Sequence, residues 1–247
     1  MKAINEFSGL MRRCVDDYNM IQEGDRIAVG VSGGKDSMVL LFALKYLQGY
    51  YPKKFHLVGI TLDLGFEGMD FDPVKEFCRR WDIPYTVIKT DIKEIVFDVR
   101  KEDNPCSLCS KMRRGGLNNA MKEHGCNKLA LGHHFDDAVE TFLMSLFYEG
   151  RISCFKPMTY MSRADVHQIR PMLYAGEQKI ANLAEHYDLP IVHNPCPQDK
   201  ASKRHEVKEL IKTLSLQYPD LKSKVFGAIQ RLPLTGWEKN IGSNACI

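Results

Sequence analysis

Early in this chain one local structure must turn into another within a short passage. Arg26-Ile27-Ala28-Val29-Gly30-Val31 is an apolar run of strand length. It leads directly into Ser32-Gly33-Gly34-Lys35-Asp36-Ser37, and a helical pattern follows with Met38, Leu40, Leu41, Ala43 and Leu44 apolar. Two glycines between a strand and a helix permit a tight turn and let backbone N–H groups approach an anion closely. The helix start adds unpaired N–H donors and partial positive charge. Ser32 and Ser37 offer hydroxyls, Lys35 a charge, and Asp36 a carboxylate for Mg2+ or for a helix cap. The string is neither the GxxxxGK[ST] loop nor GxGxxG.

The rest of the chain repeats that alternation. Strands are expected at His56 to Leu62, Tyr85 to Ile88, Lys128 to Gly132 and Pro190 to Val192. Helices are expected at 4–20, from Asp72-Pro73, at Asp136 to Phe147, near 176–187, and from Lys203 to Arg231 with a break at Tyr218-Pro219-Asp220. This pattern predicts an α/β fold with a parallel sheet. Two stretches, 101–116 and 148–170, read as irregular surface segments. The expected organisation is an N-terminal helix (1–22), a nucleotide-binding domain (23–200) and a C-terminal helical extension (201–247).

No run of about 18 apolar residues occurs, so no membrane span is expected. The N-terminal stretch carries Glu6, Asp16 and Asp17 among its apolar residues and does not read as a signal peptide, which points to the cytoplasm. The net charge of +3 is too small to argue for nucleic acid, so local clustering must carry that argument.

Cysteines supply the second signal. Asn104-Pro105-Cys106-Ser107-Leu108-Cys109 holds a CxxC, and Asn194-Pro195-Cys196 supplies a third thiol. Four readings stand side by side: zinc, which needs a fourth ligand; a redox pair, usually found after a thioredoxin-like strand; a disulfide, disfavoured by compartment; and an iron–sulfur cluster on three cysteines. Cys14, Cys78, Cys126, Cys154 and Cys246 read as structural. Arg100, Lys101, Lys111, Arg113 and Arg114 surround the CxxC. Lys200, Lys203, Arg204, Lys208 and Lys212 follow Cys196. Arg151, Lys156, Arg163 and Arg170 fill the middle segment, where Tyr148, Phe155 and Tyr160 offer rings for an unpaired base.

SGGKDS after a strand resembles the loop of the PP-loop ATP-pyrophosphatases, which adenylate substrates and release pyrophosphate. That resemblance implies a Rossmann-like sheet with helices on both faces. It assigns Ser32, Gly33, Gly34, Asp36 and Ser37 to the pyrophosphate end of ATP, the stretch around Asp63 to the adenosine border, and Asp137 to ATP and Mg2+. Gly132 and His133 lie in the same string, where Asp136 or Asp137 has a second reading as a helix cap.

The CxxC, the string Leu131-Gly132-His133-His134-Phe135-Asp136-Asp137, Phe147-Tyr148-Glu149-Gly150, Ile169-Arg170-Pro171-Met172 and the late cysteine together resemble the tRNA 2-thiocytidine synthetases over roughly residues 10–230. By that resemblance Cys106, Cys109 and Cys196 bind a 4Fe-4S cluster with its fourth iron open, tRNA is the substrate, and a cysteine desulfurase-derived donor supplies sulfur. A homodimer is left open. One departure from the family pattern is Asp199, where relatives often complete a second CxxC. The same loop also serves 2-thiouridine synthases, lysidine synthetases, small-molecule sulfurtransferases and non-catalytic sensors. The cysteine pattern separates the first two from this chain.

Overall fold

Strand β1 (Asp25–Gly30) carries the alternation that organises the molecule. Ile27 and Val29 enter one apolar cluster and Ala28 the other, as the two-residue period of a strand requires. The structure, a computed structural model, describes residues 2–101, 105–196, 203–232 and 236–237.

β1 pairs in parallel with β2 (Phe55–Asp63) on one side and with β4 (Lys128–Ala130) on the other. β3 (Tyr85–Lys89) extends the sheet beyond β2. β6 (Val166–Ile169) extends it beyond β4, and β5 (Met158–Met161) closes that edge antiparallel. The order is β3-β2-β1-β4-β6-β5. The chain runs outward from β1 in one direction and resumes at β4 in the other, so the switch point lies between them. In open α/β sheets the ligand crevice sits there, beyond the carboxyl ends of the strands.

The larger core lies on one face. There α1 (Lys2–Asp17), α2 (Lys35–Gln48), α3 (Asp72–Arg80), α5 (Phe135–Glu149), α6 (Glu177–His186), α7 (Lys203–Gln217) and α8 (Leu221–Arg231) contribute to one cluster with Ile27, Val29 and Leu57. On the other face α4 (Pro105–Glu123) lays Ala120 and Met121 against Ala28, Val58 and Ile60. Among the described residues no helix is long and apolar enough to cross a membrane.

Three sequence expectations are corrected. The stretch 101–116 is not an irregular loop, because from Pro105 onward it is the start of α4. Proline is accommodated at a helix start. Gly116 sits where a Cβ would come within 2.9 Å of Leu62 Cδ1, so its bare backbone lets α4 settle on β2. The stretch 148–170 contains the β5–β6 hairpin. Pro190 to Val192 is not a strand, since it lies outside the ladder and spends the Val192 N–H on the Gly33 carbonyl at 2.9 Å. Ahead of α4, Glu94–Arg100 winds as a π-helical turn that sequence did not announce.

One buried ion pair fixes β4 against β1. Lys128 and Asp25 are almost wholly buried, with Nζ 2.6 Å from Asp25 Oδ2. Lys128 also donates to the Met20 carbonyl at 2.7 Å, and Asp25 accepts from the Gln22 amide and from Asn127 Nδ2. Removing one partner strands the other charge. Lys128→Met is therefore expected to destabilise the fold by about 3–5 kcal/mol, measured by urea denaturation. A midpoint equal to that of the wild type would refute this.

Candidate active site

The loop after β1 is held open by its own side chains. Ser37 Oγ donates to the Gly34 carbonyl at 2.8 Å and accepts from the Ser32 amide at 3.2 Å, and the Gly34 amide donates to Ser32 Oγ at 3.3 Å. Gly33 takes φ +85°, the left-handed region that glycine enters freely. Helix α2 has no side-chain cap at its N-terminus. Its first amides thus face the crevice without a side-chain acceptor, which is the anion-binding arrangement of a helix start.

The segment after β4 closes the other side. Gly132 lies against the Asp36 carbonyl and the Ser37 amide. Asp137 Oδ2 accepts the His134 amide at 2.9 Å and stands 3.4 Å from His134 Nε2. Asp137 therefore does brace the start of α5, while its other oxygen lies 3.5 Å from Arg204. Asp36 Oδ1 is buried and makes no hydrogen bond, with Lys35 Nζ 3.3 Å away. Asp63, at the end of β2, accepts the Gly65 amide at 3.0 Å and braces the same edge of the sheet.

His133 is a neutral imidazole here. Burial, followed by the adjacent Arg170 guanidinium, pushes its pKa down to about 4. Its Nδ1 accepts from Arg170 Nε at 3.3 Å, and its ring leans on Phe155 with centroids 5.0 Å apart. Arg170 in turn donates to the Lys156 carbonyl and to Gln168, and lies over the Phe155 ring at 4.9 Å. Phe155 is therefore occupied in packing. The Ile169–Met172 string continues beside the segment after β4, with Leu131 N–H bonded to the Ile169 carbonyl and His134 bridged to Met172.

Sequence reading missed a charge network behind the loop. Lys35 donates to Glu177 at 3.2 Å, and Lys208 holds the same carboxylate at 2.8 Å. Burial raises the Glu177 pKa, but Lys208 and Lys35 outweigh it and bring it to about 2. Lys222 reaches Asp136 at 2.7 Å, and Arg204 reaches Glu140 at 3.0 Å. Arg204 and Lys208, expected among the RNA contacts, are thus engaged by carboxylates that lie 64 and 31 residues away in sequence. Nothing in local sequence links such partners. Tyr148 donates to Glu206 and carries Lys203 over its ring.

The thiols occupy one neighbourhood. Cys106 and Cys109 lie in the first turns of α4, and both are free, as is Cys196. Burial pushes the Cys109 thiol above the ordinary cysteine range. Arg113 pulls it down, and Cys196 and Cys106 each push it up, which places both within electrostatic reach of Cys109. The three are not drawn to ligand distance, and among the described residues no group of three His, Cys, Asp or Glu side chains is preassembled around a metal. Cys196 is also tied to the phosphate loop, because Val192, four residues before it, donates its amide to Gly33 and lies against that residue. Asp199, Lys200 and Cys246 lie outside the described residues. Cys14, Cys78 and Cys126 are buried.

The family model described as PP-loop domain matches residues 6–214. The tRNA-cytidine(32) 2-sulfurtransferase of Syntrophotalea carbinolica is 38% identical over 231 residues, covering 92% of this chain and 89% of that protein. The enzyme of the same name from Geobacter metallireducens is 38% identical, covering 88% and 86%. Among solved structures, the U34-tRNA thiolase NcsA from Methanococcus maripaludis with its 4Fe-4S cluster superposes with a TM-score of 0.75 at 28% identity, covering 93% of this chain and 78% of that one. NMN synthetase from Francisella tularensis, at 15% identity and a TM-score of 0.52 over 94% and 98% of the two chains, shares the fold. Resemblance of this extent, over nearly the whole chain, means that the protein belongs to the tRNA-cytidine(32) 2-sulfurtransferase family of PP-loop proteins.

Proposed function

We propose that this chain is a cytoplasmic enzyme that uses ATP to replace the 2-oxo group of a tRNA cytidine with sulfur, at position 32 as in its named relatives. The observation that carries the reading is the physical tie between the two halves of the site. The segment bearing Cys196 is hydrogen-bonded to the glycine of the phosphate loop, and Cys196 and Cys106 both act electrostatically on Cys109.

ATP is bound with its pyrophosphate end on the Ser32–Ser37 loop, against the uncapped start of α2. Asp36 Oδ1, buried beside Lys35 and without a hydrogen bond, is the oxygen suited to a divalent cation arriving with the nucleotide, with Asp137 close by. Lys35 neutralises developing charge from its position between Asp36 and Glu177. The 2-oxo oxygen of the base attacks the α-phosphorus, and pyrophosphate leaves. A sulfur nucleophile then adds at the activated carbon and AMP departs with the original oxygen, so no net redox change is needed. His133, neutral and fixed by Arg170, offers no charge that would compete with the loop for phosphate. Positioning and preorganised charge are what the protein contributes.

Three free thiols in one neighbourhood, two of them in one helical turn, form a donor set suited to an iron–sulfur cluster. Cys106, Cys109 and Cys196 would hold it, and when bound it supplies an iron with an open coordination position for sulfur.

The direct test is mass spectrometry of tRNA nucleosides from a strain lacking the gene. The expected result is loss of 2-thiocytidine, restored by the wild-type gene and not by Cys106→Ala. An unchanged nucleoside profile in the deletion strain would end the proposal.

A further inference from the structure

A trough of about 580 Å³ runs between α4 and the β5–β6 turn, away from the nucleotide loop. One wall is a single face of α4, since Lys111, Arg114 and Asn118 fall at i, i+3 and i+7. The other wall is Tyr160 and Arg163 of the hairpin. The CxxC lies at the head of the same helix. At 1.5 Å per residue, Asn118 stands about 14 Å along α4 from Cys109.

Four features of the trough point to one kind of occupant. Among the described residues, Lys111, Arg114 and Arg163 make no ion pair, whereas Lys35, Arg204, Lys208 and Lys222 around the nucleotide loop are all held by carboxylates. Tyr160 is 55% exposed yet fixed, its hydroxyl donating to Asp165 at 2.8 Å and its ring leaning on His167 at 5.1 Å. A preset ring with a free face stacks on a ligand at small entropic cost. Asn118 Oδ1 is a buried acceptor with no hydrogen-bond partner. The trough also shares α4 with the thiols, because Cys106 and Cys109 open the helix whose Lys111, Arg114 and Asn118 line it.

We propose that this trough seats the RNA strand flanking the target base, with Lys111, Arg114 and Arg163 on phosphates, Tyr160 stacked on an unpaired base and Asn118 accepting from a base amino group. The assignment rests on the tRNA-thiolating reading above, and it selects this trough over the many other basic residues near the cysteines. Cations give the affinity and its salt dependence, and the ring and the amide sense an unstacked base. An acidic protein would engage the cations but would leave the stacking face and the orphan acceptor unused.

The probe is an unmodified, fluorescently labelled tRNA transcript, with binding followed by anisotropy across a salt series. Lys111→Gln/Arg163→Gln is expected to lower the steepness of log affinity against log salt by about 1.4–1.8, the contribution of two phosphate contacts. Tyr160→Ala is expected to weaken binding about tenfold with the salt slope unchanged. The control Lys45→Gln/Arg80→Gln, at the opposite end of the sheet, should alter neither. ATP affinity should match the wild type in every variant, which also verifies folding. Unchanged affinity and slope in both trough variants would overturn the assignment. If instead the slope falls as expected while the wild-type protein leaves cytidine untouched, the thiolation reading fails and the RNA trough stands.

Discussion

Cys109→Ala is expected to reduce 2-thiocytidine formation by more than about 100-fold while leaving ATP binding intact. Cys109 lies one helical turn after Cys106 in α4, with Cys196 within electrostatic reach. On the proposed assignment its removal takes away one of the three thiol donors. Loss of an outer-shell partner of a metal centre already costs 10–100-fold, and loss of a direct ligand costs more. The nucleotide loop shares no described hydrogen bond with Cys109, so ATP affinity has no reason to change. Iron and labile sulfide, measured after anaerobic reconstitution, should fall together with activity. Cys78→Ala is the matching control. Cys78 is buried in the core, and burial alone pushes its thiol up to about 12, so it is an inert apolar group. That variant should lose about 1–2 kcal/mol of stability and keep its iron. Full thiolation by Cys109→Ala would remove Cys109 from the donor set.

The same contrast between local and distant partners explains what sequence could and could not reveal. Val31 to Ser37 was legible because a strand, two glycines and a helix start are neighbours in the chain, and α2 begins at Lys35, within the quoted string. The CxxC was legible as a donor pair but not as helix. The stretch 101–116 read as a surface segment, yet Pro105 sits at a helix start and Gly116 is shaped by Leu62, which lies 54 residues earlier. β5 and β6 are four residues each, with Thr159 and Tyr160 in β5 and His167 and Gln168 in β6, so they lack the apolar run that marks β1. Pairing with β4 on one side and β5 on the other makes β6 a strand. Pro190 to Val192 has strand composition and no strand partner, because its hydrogen bond goes to the phosphate loop instead. The Lys35–Glu177–Lys208 chain of charges spans 142 residues at its longest link and has no local signature.

Gly33→Ala tests whether the nucleotide loop and the late cysteine are one device. An alanine there would hold φ near +85°, and its Cβ would fall 2.7 Å from Val192 Cβ and 3.1 Å from Val192 Cγ2. The conformational strain alone is about 1–3 kcal/mol. The clash is with the root of a side chain whose own amide is bonded to the Gly33 carbonyl, so the two backbones must separate. If the nest of N–H groups loses its shape, about 3 kcal/mol of phosphate binding is forfeited, which corresponds to roughly a 100-fold loss of ATP affinity. Displacement of Val192 also moves the segment that ends in Cys196, so iron content should drop in the same variant although no thiol has been touched. Ser32→Ala separates the two effects. It removes a hydroxyl from the loop without pressing on Val192, and should weaken ATP binding while iron stays at the wild-type level. Titration of ATP by calorimetry, with iron assayed on the same samples, reads both quantities. Reduced ATP affinity with unaltered iron in Gly33→Ala would mean that the loop and the cysteine segment touch without being coupled. Coupling between the nucleotide site and the thiols would then have to be sought elsewhere, for example through α4, whose Gly116 lies against Leu62 of β2.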